Sequence, residues 1–393
     1  MYGSDLLYAD HHATTPVLPE VLEAMAPWTA FSGNPSSVHA AGRAARQAVE
    51  QARAEVARAI GGRPEEIVFT SGGTESDNLA VKGAALAARD LDPARTAVLI
   101  TAAEHPAVRE AARSLVSLGF EAVELPVDGS GLPAREALDT RLDGSAALVS
   151  AILANNETGI VNGELPRLAA RARAAGVLAH TDAVQAVGKI PVDTGQLGVD
   201  LLSLTAHKFG GPKGAGALWI RKGTRLAPVA AGGGQEKGRR AGTENVAAIV
   251  GLGAAASLAT ARRASESARL AALRDRLENG LRSAIPGLKV NGASPGGAER
   301  LPTASSVVFP GVSGEILLAA LDLEGIAVSS GSACASGTTK PSFVLLAMGL
   351  SPEEARGTLR FSFGWTTNPE EIDRLCAVVP RVHARAVRGV AAC

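Results

Sequence analysis

The chain has 393 residues, of which 46% are hydrophobic and 20% are charged, and its formal net charge is zero. This length allows two or three domains with a large buried core, and the composition is that of a folded globular protein. Zero net charge gives no electrostatic basis for a nucleic-acid or acidic-membrane surface, so we expect no direct nucleic-acid partner.

The cysteine count and the N-terminus indicate a reducing compartment. Cys334, Cys376 and Cys393 are too few and too scattered for a disulfide framework or a Cys-x-x-Cys metal site. The first residues do not form a signal peptide, and no uncharged apolar run reaches about 18 residues. We therefore expect a cytoplasmic protein with no metal site and no membrane partner.

Strand and helix patterns alternate from about residue 40 to residue 260. Apolar residues at helical spacing predict a helix over 40–60, which ends at a glycine pair. A strand is predicted over 66–70, and the next helix opens at 71–76. Further strands are expected near 97–101, 121–125, 147–153, 177–180, 201–204 and 217–220. This alternation predicts an α/β domain with a mainly parallel sheet.

A long amphipathic helix follows and carries Leu270, Leu273, Leu277 and Leu281 on one face. Beyond it, short strands at 305–309, 325–328 and 359–363 alternate with helices, which indicates a smaller α+β domain. We place the boundary near residue 262. The large domain would then cover 15–262, and the small domain would combine 1–14 with 263–393.

A lysine and an aspartate follow two of the predicted parallel strands. Lys208 comes after the apolar run 201–206, and Asp182 ends another apolar run 26 residues upstream. Parallel strands end at one sheet edge, so the amine and the carboxylate would share a cleft. Pyridoxal phosphate chemistry requires this pairing: the lysine forms a Schiff base and the acid keeps the pyridine nitrogen protonated. Most strand-end lysines are solvated loop charges, and aspartate is a common turn residue, so two further segments have to support this prediction.

The first supporting segment is Thr-Ser-Gly-Gly-Thr at 70–74. A strand, a glycine pair and a helix start together form a phosphate cradle, although the same residues also form an ordinary helix N-cap. The segment lacks the glycine-rich patterns of nucleotide triphosphatases and dinucleotide-binding folds, which favours a smaller phosphate ligand.

The second supporting segment surrounds Cys334 at 329–339 and is rich in Ser, Gly and Thr. A free cysteine is usually a small buried hydrophobic residue, but these flanks predict an exposed, mobile loop. The thiol would be a nucleophile that changes position with the mobile loop. Cys376 lies in a helical apolar pattern and is interpreted as structural, and Cys393 is the chain end.

With these segments in place, the chain resembles the cysteine desulfurases, which share the fold of the class V aminotransferases. The shared motifs are Ala-Thr-Thr-Pro at 13–16, Gly-Asn-Pro-Ser-Ser at 33–37, the segment 70–78, Glu-His at 104–105, Asn-Asn-Glu-Thr-Gly at 155–159, His-Thr-Asp-Ala-Val-Gln at 180–185, His-Lys at 207–208, Arg-Ala-Gly-Thr at 240–243 and Ser-Gly-Ser-Ala-Cys at 330–334. The long cysteine loop is similar to that of the subgroup serving nitrogen fixation and iron–sulfur cluster assembly. The resemblance implies the type I fold of pyridoxal phosphate-dependent transferases, in a homodimer.

The resemblance also implies roles around the cofactor ring. Lys208 would hold pyridoxal phosphate and later move the α-proton, and Asp182 would pair with the pyridinium nitrogen. Gln185 would touch the ring hydroxyl, His105 would stack on the ring and shuttle protons, and Asn156 would orient cofactor and substrate. From the residues alone, His105 before a proline is equally an ordinary helix-start residue.

The phosphate and substrate groups have implied partners as well. The phosphate would be bound by Gly73, Thr74, Thr205 and His207, joined by Thr243 from the neighbouring subunit. Arg360 would clamp the substrate carboxylate, a bidentate task that suits a guanidinium, although it also fits an ordinary strand-edge charge.

The implied reaction converts L-cysteine to L-alanine and leaves the sulfur on Cys334 as a persulfide for an acceptor protein. The chain ends soon after Arg388, without the longer tail of the housekeeping cluster-assembly members, so the acceptor stays open. Iron–sulfur cluster assembly, tRNA thiolation, DNA phosphorothioation and a biosynthetic pathway are the alternatives. His11 and His12 depart from the family pattern.

Two other interpretations remain. A different pyridoxal phosphate enzyme of the same fold, an aminotransferase or a lyase, would need Lys208 and Asp182 but not Cys334. A non-catalytic sulfur-relay or scaffold protein would keep the fold only as a binding surface and would form no alanine.

Overall fold

The computed structural model describes residues 6–134, 136, 141–292, 298–330 and 340–391. In chain order, its strands are β1 (Leu7–Tyr8), β2 (Ile67–Thr70), β3 (Ala97–Thr101), β4 (Glu121–Leu125), β5 (Ala146–Ser150), β6 (Leu178–Asp182), β7 (Leu201–Thr205), β8 (Gly216–Ile220), β9 (Lys289–Val290), β10 (Ala304–Val308), β11 (Ile326–Ala327) and β12 (Thr358–Ser362). Its α-helices are α1 (Pro19–Thr29), α2 (Ala40–Ala59), α3 (Gly73–Leu91), α4 (Pro106–Ser114), α5 (Leu165–Ala174), α6 (Thr194–Leu197), α7 (Val246–Ala284), α8 (Gly314–Asp322), α9 (Phe343–Ala347), α10 (Pro352–Arg356) and α11 (Pro369–Ala391).

The central sheet has seven strands in the order β2-β8-β7-β6-β5-β3-β4. The strands from β4 to β7 pair in parallel, whereas β8 runs antiparallel to both of its neighbours, β7 and β2. This confirms the predicted α/β fold with a mainly parallel sheet. β8 is the exception, since residues 206–215 return the chain beside β7 without a crossover helix.

The inner strands β3, β5 and β7 are largely apolar because helices cover both faces of the sheet. Every residue of β3, β5 and β7 is buried. Along β3, Leu99 packs into one core cluster, while Val98 and Ile100 pack into the cluster on the opposite face with α3. Strands that are buried on both faces have continuous hydrophobic sequences, and these could therefore be predicted from the sequence.

β5 ends at Ser150, three residues before the predicted end of this strand. The backbone N–H of Ile152 donates to a carboxylate oxygen of Glu104 at 2.7 Å and not to a backbone carbonyl, while the N–H of Leu153 still donates to the carbonyl oxygen of Asp182 at 3.0 Å. Helix α1, which begins with Pro19, was not predicted.

Two smaller sheets lie beyond the central one. β10 pairs antiparallel with β12 and β9, and β1 pairs in parallel with β11. Residues of both sheets, such as Leu7 of β1 and Phe361 of β12, pack with Leu277 of α7 in a separate core cluster. The N-terminal strand thus packs with the C-terminal third of the chain.

Helix α7 joins the two parts of the protein. Leu252 near its start packs into a core cluster of the central sheet, and Leu277 near its end packs into the C-terminal cluster. The helix runs through residue 262 without a break, so a domain boundary at that position stays a prediction. One window of α7 is also long and apolar enough to cross a membrane, but buried helices of globular proteins meet the same criterion.

Candidate active site

The carboxyl ends of β6 and β7 meet at one edge of the central sheet. Asp182 is the last residue of β6, and Lys208 ends the 3-10 turn Ala206–Lys208 directly after β7. These strands are parallel neighbours, with Asp182 opposite Ser203. Both side chains line a cavity of about 650 Å³, so the structure brings the predicted amine and carboxylate together.

Most of the residues predicted for the site line this cavity: Gly73, Thr74, His105, Asn156, Asp182, Gln185, Thr205, His207, Lys208 and Arg360. Thr243 is exposed and is not among the lining residues of its own chain. Cys334 lies outside the described residues. Ser329 and Lys340, on either side of its segment, both line the cavity.

Lys208 is held against the N-terminal segment. Its Nζ donates to the backbone carbonyl oxygens of His12, at 2.5 Å, and Ala13, at 2.8 Å. Burial and, to a smaller extent, the charge of Arg360 lower the pKa of Lys208 to about 8. An amine in this state is neutral for a useful part of the time near neutral pH, as a nucleophile or a base must be.

Asp182 belongs to a cluster of three ionisable groups, two of them buried and one, His105, half-buried. One atom each of Asp182, Asp77 and His105 lies within 4.8 Å of the other two. Burial raises the pKa of Asp182, while His105, Lys208 and the N–H of Val184, at 2.8 Å from Oδ1, favour its charged form. Of the two carboxyl groups in the cluster, Asp182 therefore has the surroundings that better stabilise a negative charge.

His105 caps helix α4 and faces the cavity at the same time. Its Nδ1 accepts a hydrogen bond from the backbone N–H of Ala107 at 3.1 Å, and burial lowers its pKa. A neutral imidazole that accepts at Nδ1 carries its proton on Nε2. The sequence allowed two interpretations of His105, a helix-start residue or an active-site residue. In the structure the same side chain caps the helix and lines the cavity, so the two are compatible.

The N-terminus of α3 forms one wall of the cavity. Gly73 is the first residue of this 19-residue helix, and a Cβ there would come within 2.8 Å of a methyl group of Val184. The first N–H groups of a helix have no partner within the helix, and they favour an anion together with the helix dipole. Thr74, Thr205 and His207 line the same cavity.

Arg360 lies on β12 and reaches the cavity from the other side. Its guanidinium donates to Asp10 at 2.7 Å and to the backbone carbonyl of Asn156 at 2.8 Å. The Nε atom is buried and has no hydrogen-bond partner among the residues that the structure describes. Two partners thus fix the orientation of the guanidinium, and within the described part of the chain Nε is left available as a donor.

Sequence reasoning missed several cavity residues, among them Asp10, His12 and Asp77. His12 is buried, with Nδ1 3.2 Å from the carbonyl oxygen of Asn156 and Nε2 2.9 Å from the hydroxyl of Thr303. Asp77 faces the cluster one helical turn after Gly73. An acidic residue so close to a phosphate cradle was the available signal for it.

The residues present fit pyridoxal phosphate. Anion-binding backbone groups at Gly73 and Thr74, a carboxylate at Asp182 and an amine of lowered pKa at Lys208 surround one cavity. These are the donor, acceptor and nucleophile that the phosphate, the ring nitrogen and the aldehyde of this cofactor need. Together, fold and site define the class V aminotransferase type of protein.

Comparison with known proteins agrees with this class. The family model for class-V aminotransferases matches residues 7–375. A cysteine desulfurase IscS of Dictyoglomus turgidum is 45% identical over 96% of this chain and 94% of its own length. The solved structure of a NifS-like protein is 35% identical, with a TM-score of 0.88, and the match covers 97% of this chain and all of that one. The chain belongs to the cysteine desulfurases of the class V aminotransferase family.

A third similar protein has been solved with a ligand. The structure of SspA in complex with cysteine is 34% identical to this chain, with a TM-score of 0.79, and the match covers 91% of this chain and 98% of that one.

Proposed function

We propose that the protein is a pyridoxal phosphate-dependent cysteine desulfurase, which converts L-cysteine to L-alanine and transfers the sulfur to Cys334 as a persulfide. One observation carries this proposal: the lysine and the aspartate converge in a cavity that is also lined by both flanks of the Cys334 segment, Ser329 and Lys340. The identity to cysteine desulfurases and the cysteine-bound similar structure support it.

Pyridoxal phosphate, when bound, supplies a ring that withdraws electrons from the substrate α-carbon. Asp182 would hold the ring nitrogen, and Gln185 would donate to the ring oxygen. His105 would cover the ring. The phosphate group would be bound by Gly73, Thr74, Thr205 and His207, and by Thr243 of the second subunit in a homodimer.

Lys208 would hold the cofactor and would also serve as the base. Its pKa of about 8 keeps part of the population neutral near neutral pH, so that Nζ accepts the proton from the substrate α-carbon. The hydrogen bonds from Nζ to the carbonyls of His12 and Ala13 keep this atom at the cavity wall.

Arg360 and Asn156 bind the substrate. The Nε of Arg360, which has no partner among the described residues, is a donor for the substrate carboxylate, and Asp10 keeps the guanidinium in place for it. Asn156 lines the same part of the cavity and orients both substrate and cofactor.

Cys334 receives the sulfur. Its thiolate attacks the sulfur of the bound cysteine, an S–S bond forms, and the bond between sulfur and the substrate β-carbon breaks. The β-carbon takes a proton, the α-carbon regains one from Lys208 and L-alanine leaves, so atoms and electrons balance without an added oxidant. The persulfide is then passed to an acceptor protein, for iron–sulfur cluster assembly or for the thiolation of tRNA, DNA or a metabolite, in the cytoplasm.

The test is to load the protein with pyridoxal phosphate, add L-cysteine and a reductant, and measure alanine and sulfide. We expect equal amounts of the two products. No alanine from L-cysteine would contradict the proposal. Transamination or elimination with another amino acid, at a rate that Cys334→Ser leaves unchanged, would favour the rival pyridoxal phosphate enzyme.

A further inference from the structure

A second lysine, Lys189, is buried close to Lys208, and the proposed reaction does not use it. Lys189 lies in the turn after β6, and its side chain is almost completely buried. Its Nζ donates to Oε1 of Gln185 at 2.5 Å, and its backbone carbonyl accepts from the hydroxyl of Ser267 at 2.6 Å. Both ends of the residue are therefore fixed.

No carboxylate among the described residues forms an ion pair with Lys189. The titratable or charged groups around it on the active-site side are His11, His12, His207, Lys208 and Arg360. A second cavity of about 320 Å³ borders it on the other side, where Arg262, Arg263 and Glu266 also line the wall. Glu266 is bound by Arg269.

The protonation state of Lys189 follows from this environment. Burial, together with the charges of Lys208 and Arg360, holds the pKa of Lys189 well below its usual range. A neutral amine still donates a hydrogen bond, and it adds no third positive charge beside Lys208 and Arg360.

The bond from Lys189 and the bond to the His12 carbonyl together determine which way the Gln185 amide points. With Oε1 occupied by the lysine, Nε2 lies on the opposite side and donates to the carbonyl oxygen of His12 at 2.9 Å. The same carbonyl accepts from Nζ of Lys208 at 2.5 Å. In the flipped amide, Oε1 would face the carbonyl oxygen of His12, and two acceptors without a proton between them repel each other.

An amide nitrogen carries two hydrogens, and only one of those on Gln185 is bound to His12. Gln185 also lines the active-site cavity. We propose that Lys189 is a positioning residue: it fixes the Gln185 amide so that the second N–H points into the cavity beside Lys208 and donates to the ring oxygen of pyridoxal phosphate. This inference rests on the proposed function and assigns Lys189 a part in it.

The inference predicts how the bound cofactor titrates. A donor to the ring oxygen favours its anionic form, so losing the donor raises the pH at which the bound chromophore releases its proton. The visible absorbance of the cofactor-loaded protein without substrate reports this midpoint directly. A role confined to stabilising the fold would leave the midpoint unchanged.

The decisive variants are Lys189→Met, which removes the donor, and Lys189→Gln, whose amide N–H replaces it without charge. Lys189→Met should raise the midpoint by roughly 0.5–1 pH unit, while Lys189→Gln stays near wild type. Equal shifts in both variants, or no shift in Lys189→Met, would overturn the inference. Circular dichroism melting checks that each variant is folded.

The route through Gln185 is tested by a double-mutant cycle. Gln185→Leu alone should give the same shift as Lys189→Met, and the double variant should add nothing further. An additive shift would show that Lys189 acts by another path. If Lys189→Met does not fold, Gln185→Leu and Lys189→Gln still decide: a shift in both overturns the inference. If the wild type forms no alanine from L-cysteine, the proposed function fails instead.

Discussion

Asp77 and Asp182 place their carboxyl groups in one buried cluster, with oxygens within 4.8 Å of each other. Two buried carboxylates this close are not both ionised. Burial and the charge of Asp182 raise the pKa of Asp77 well above its usual range, and Oδ1 of Asp77 has no hydrogen-bond partner among the described residues. Asp182 has the Val184 N–H and nearby Lys208 to stabilise its charge. The proton of the pair therefore resides on Asp77.

This assignment predicts opposite outcomes for two matched variants. Asp77→Asn replaces a neutral acid with a neutral amide, so the dissociation constant for pyridoxal phosphate should stay within about threefold of wild type. Asp182→Asn removes the anion that faces the ring nitrogen, and the affinity should fall by about tenfold or more. Cofactor titration of the apoprotein measures both. A loss in Asp77→Asn as large as that in Asp182→Asn would place the charge on Asp77.

Glu104 predicts a pH dependence of stability. Its Oε1 accepts from Thr101 and Ile152, both at 2.7 Å, and burial raises its pKa to about 8 from an ordinary value of 4.5. The native state therefore binds the proton more tightly than the unfolded state. The stabilisation that this tighter proton binding adds to the free energy of unfolding is complete below pH 4.5. It is lost as the pH rises towards 8, at up to about 1.4 kcal/mol per pH unit.

Glu104→Gln removes this titration and keeps an oxygen acceptor at Oε1. The free energy of unfolding of the variant, minus that of wild type, should increase between about pH 5 and about pH 8. Urea unfolding of the two apoproteins across this range gives the difference. A difference that does not change with pH would mean that Glu104 is already ionised in the folded protein.

A buried ion pair fastens the loop before Thr243. Arg53 donates from two nitrogens to the two carboxylate oxygens of Glu236, each at 2.8 Å, and the side chains are only 9% and 2% exposed. Arg53→Met leaves this carboxylate buried and unpaired and should lower the free energy of unfolding by about 3–5 kcal/mol. The control is Arg58→Met, which breaks an exposed pair with Glu55 and should cost at most about 1 kcal/mol. The two free energies of unfolding are measured with a denaturant. Equal losses in Arg53→Met and Arg58→Met would contradict the expectation that the buried pair matters more.

Gly73 predicts a steric effect on cofactor binding. A methyl group there would press on the stiff side chain of Val184, whereas Gly163 has no atom within 4 Å of an added Cβ. Gly73→Ala should weaken pyridoxal phosphate binding by about tenfold, and Gly163→Ala should leave it unchanged. Unaltered binding in Gly73→Ala would show that Val184 moves away from the added methyl group without disturbing the start of the helix.

The main features of the fold were predictable because they depend on local patterns. Apolar runs such as β3 and β7 are buried on both faces, and the glycine pair at 72–73 begins a helix with free N–H groups. Lys208 and Asp182 could be brought together from sequence, since parallel strands end at the same edge of the sheet. The antiparallel β8 could not be inferred, because an apolar run does not carry its direction.

Contacts between distant segments were also beyond the sequence. His12 approaches Lys208 and Gln185 through its backbone carbonyl, which no side-chain pattern marks. Lys189 is one turn residue among several, and its significance appears only once its Nζ is seen on Gln185. The pairing of Arg360 with Asp10 joins residues 350 positions apart in the chain.

The most direct test of the central claim follows the sulfur in a single turnover. The cofactor-loaded protein receives one equivalent of L-cysteine without reductant, and alanine and the mass of each cysteine-containing peptide are measured. We expect one alanine per subunit and a mass increase of one sulfur atom on the peptide with Cys334. Cys334→Ser should form neither, while Cys376→Ser, a change at a half-buried helical thiol, should behave as wild type. Alanine without added sulfur at Cys334, or a persulfide on Cys376 instead, would contradict this account.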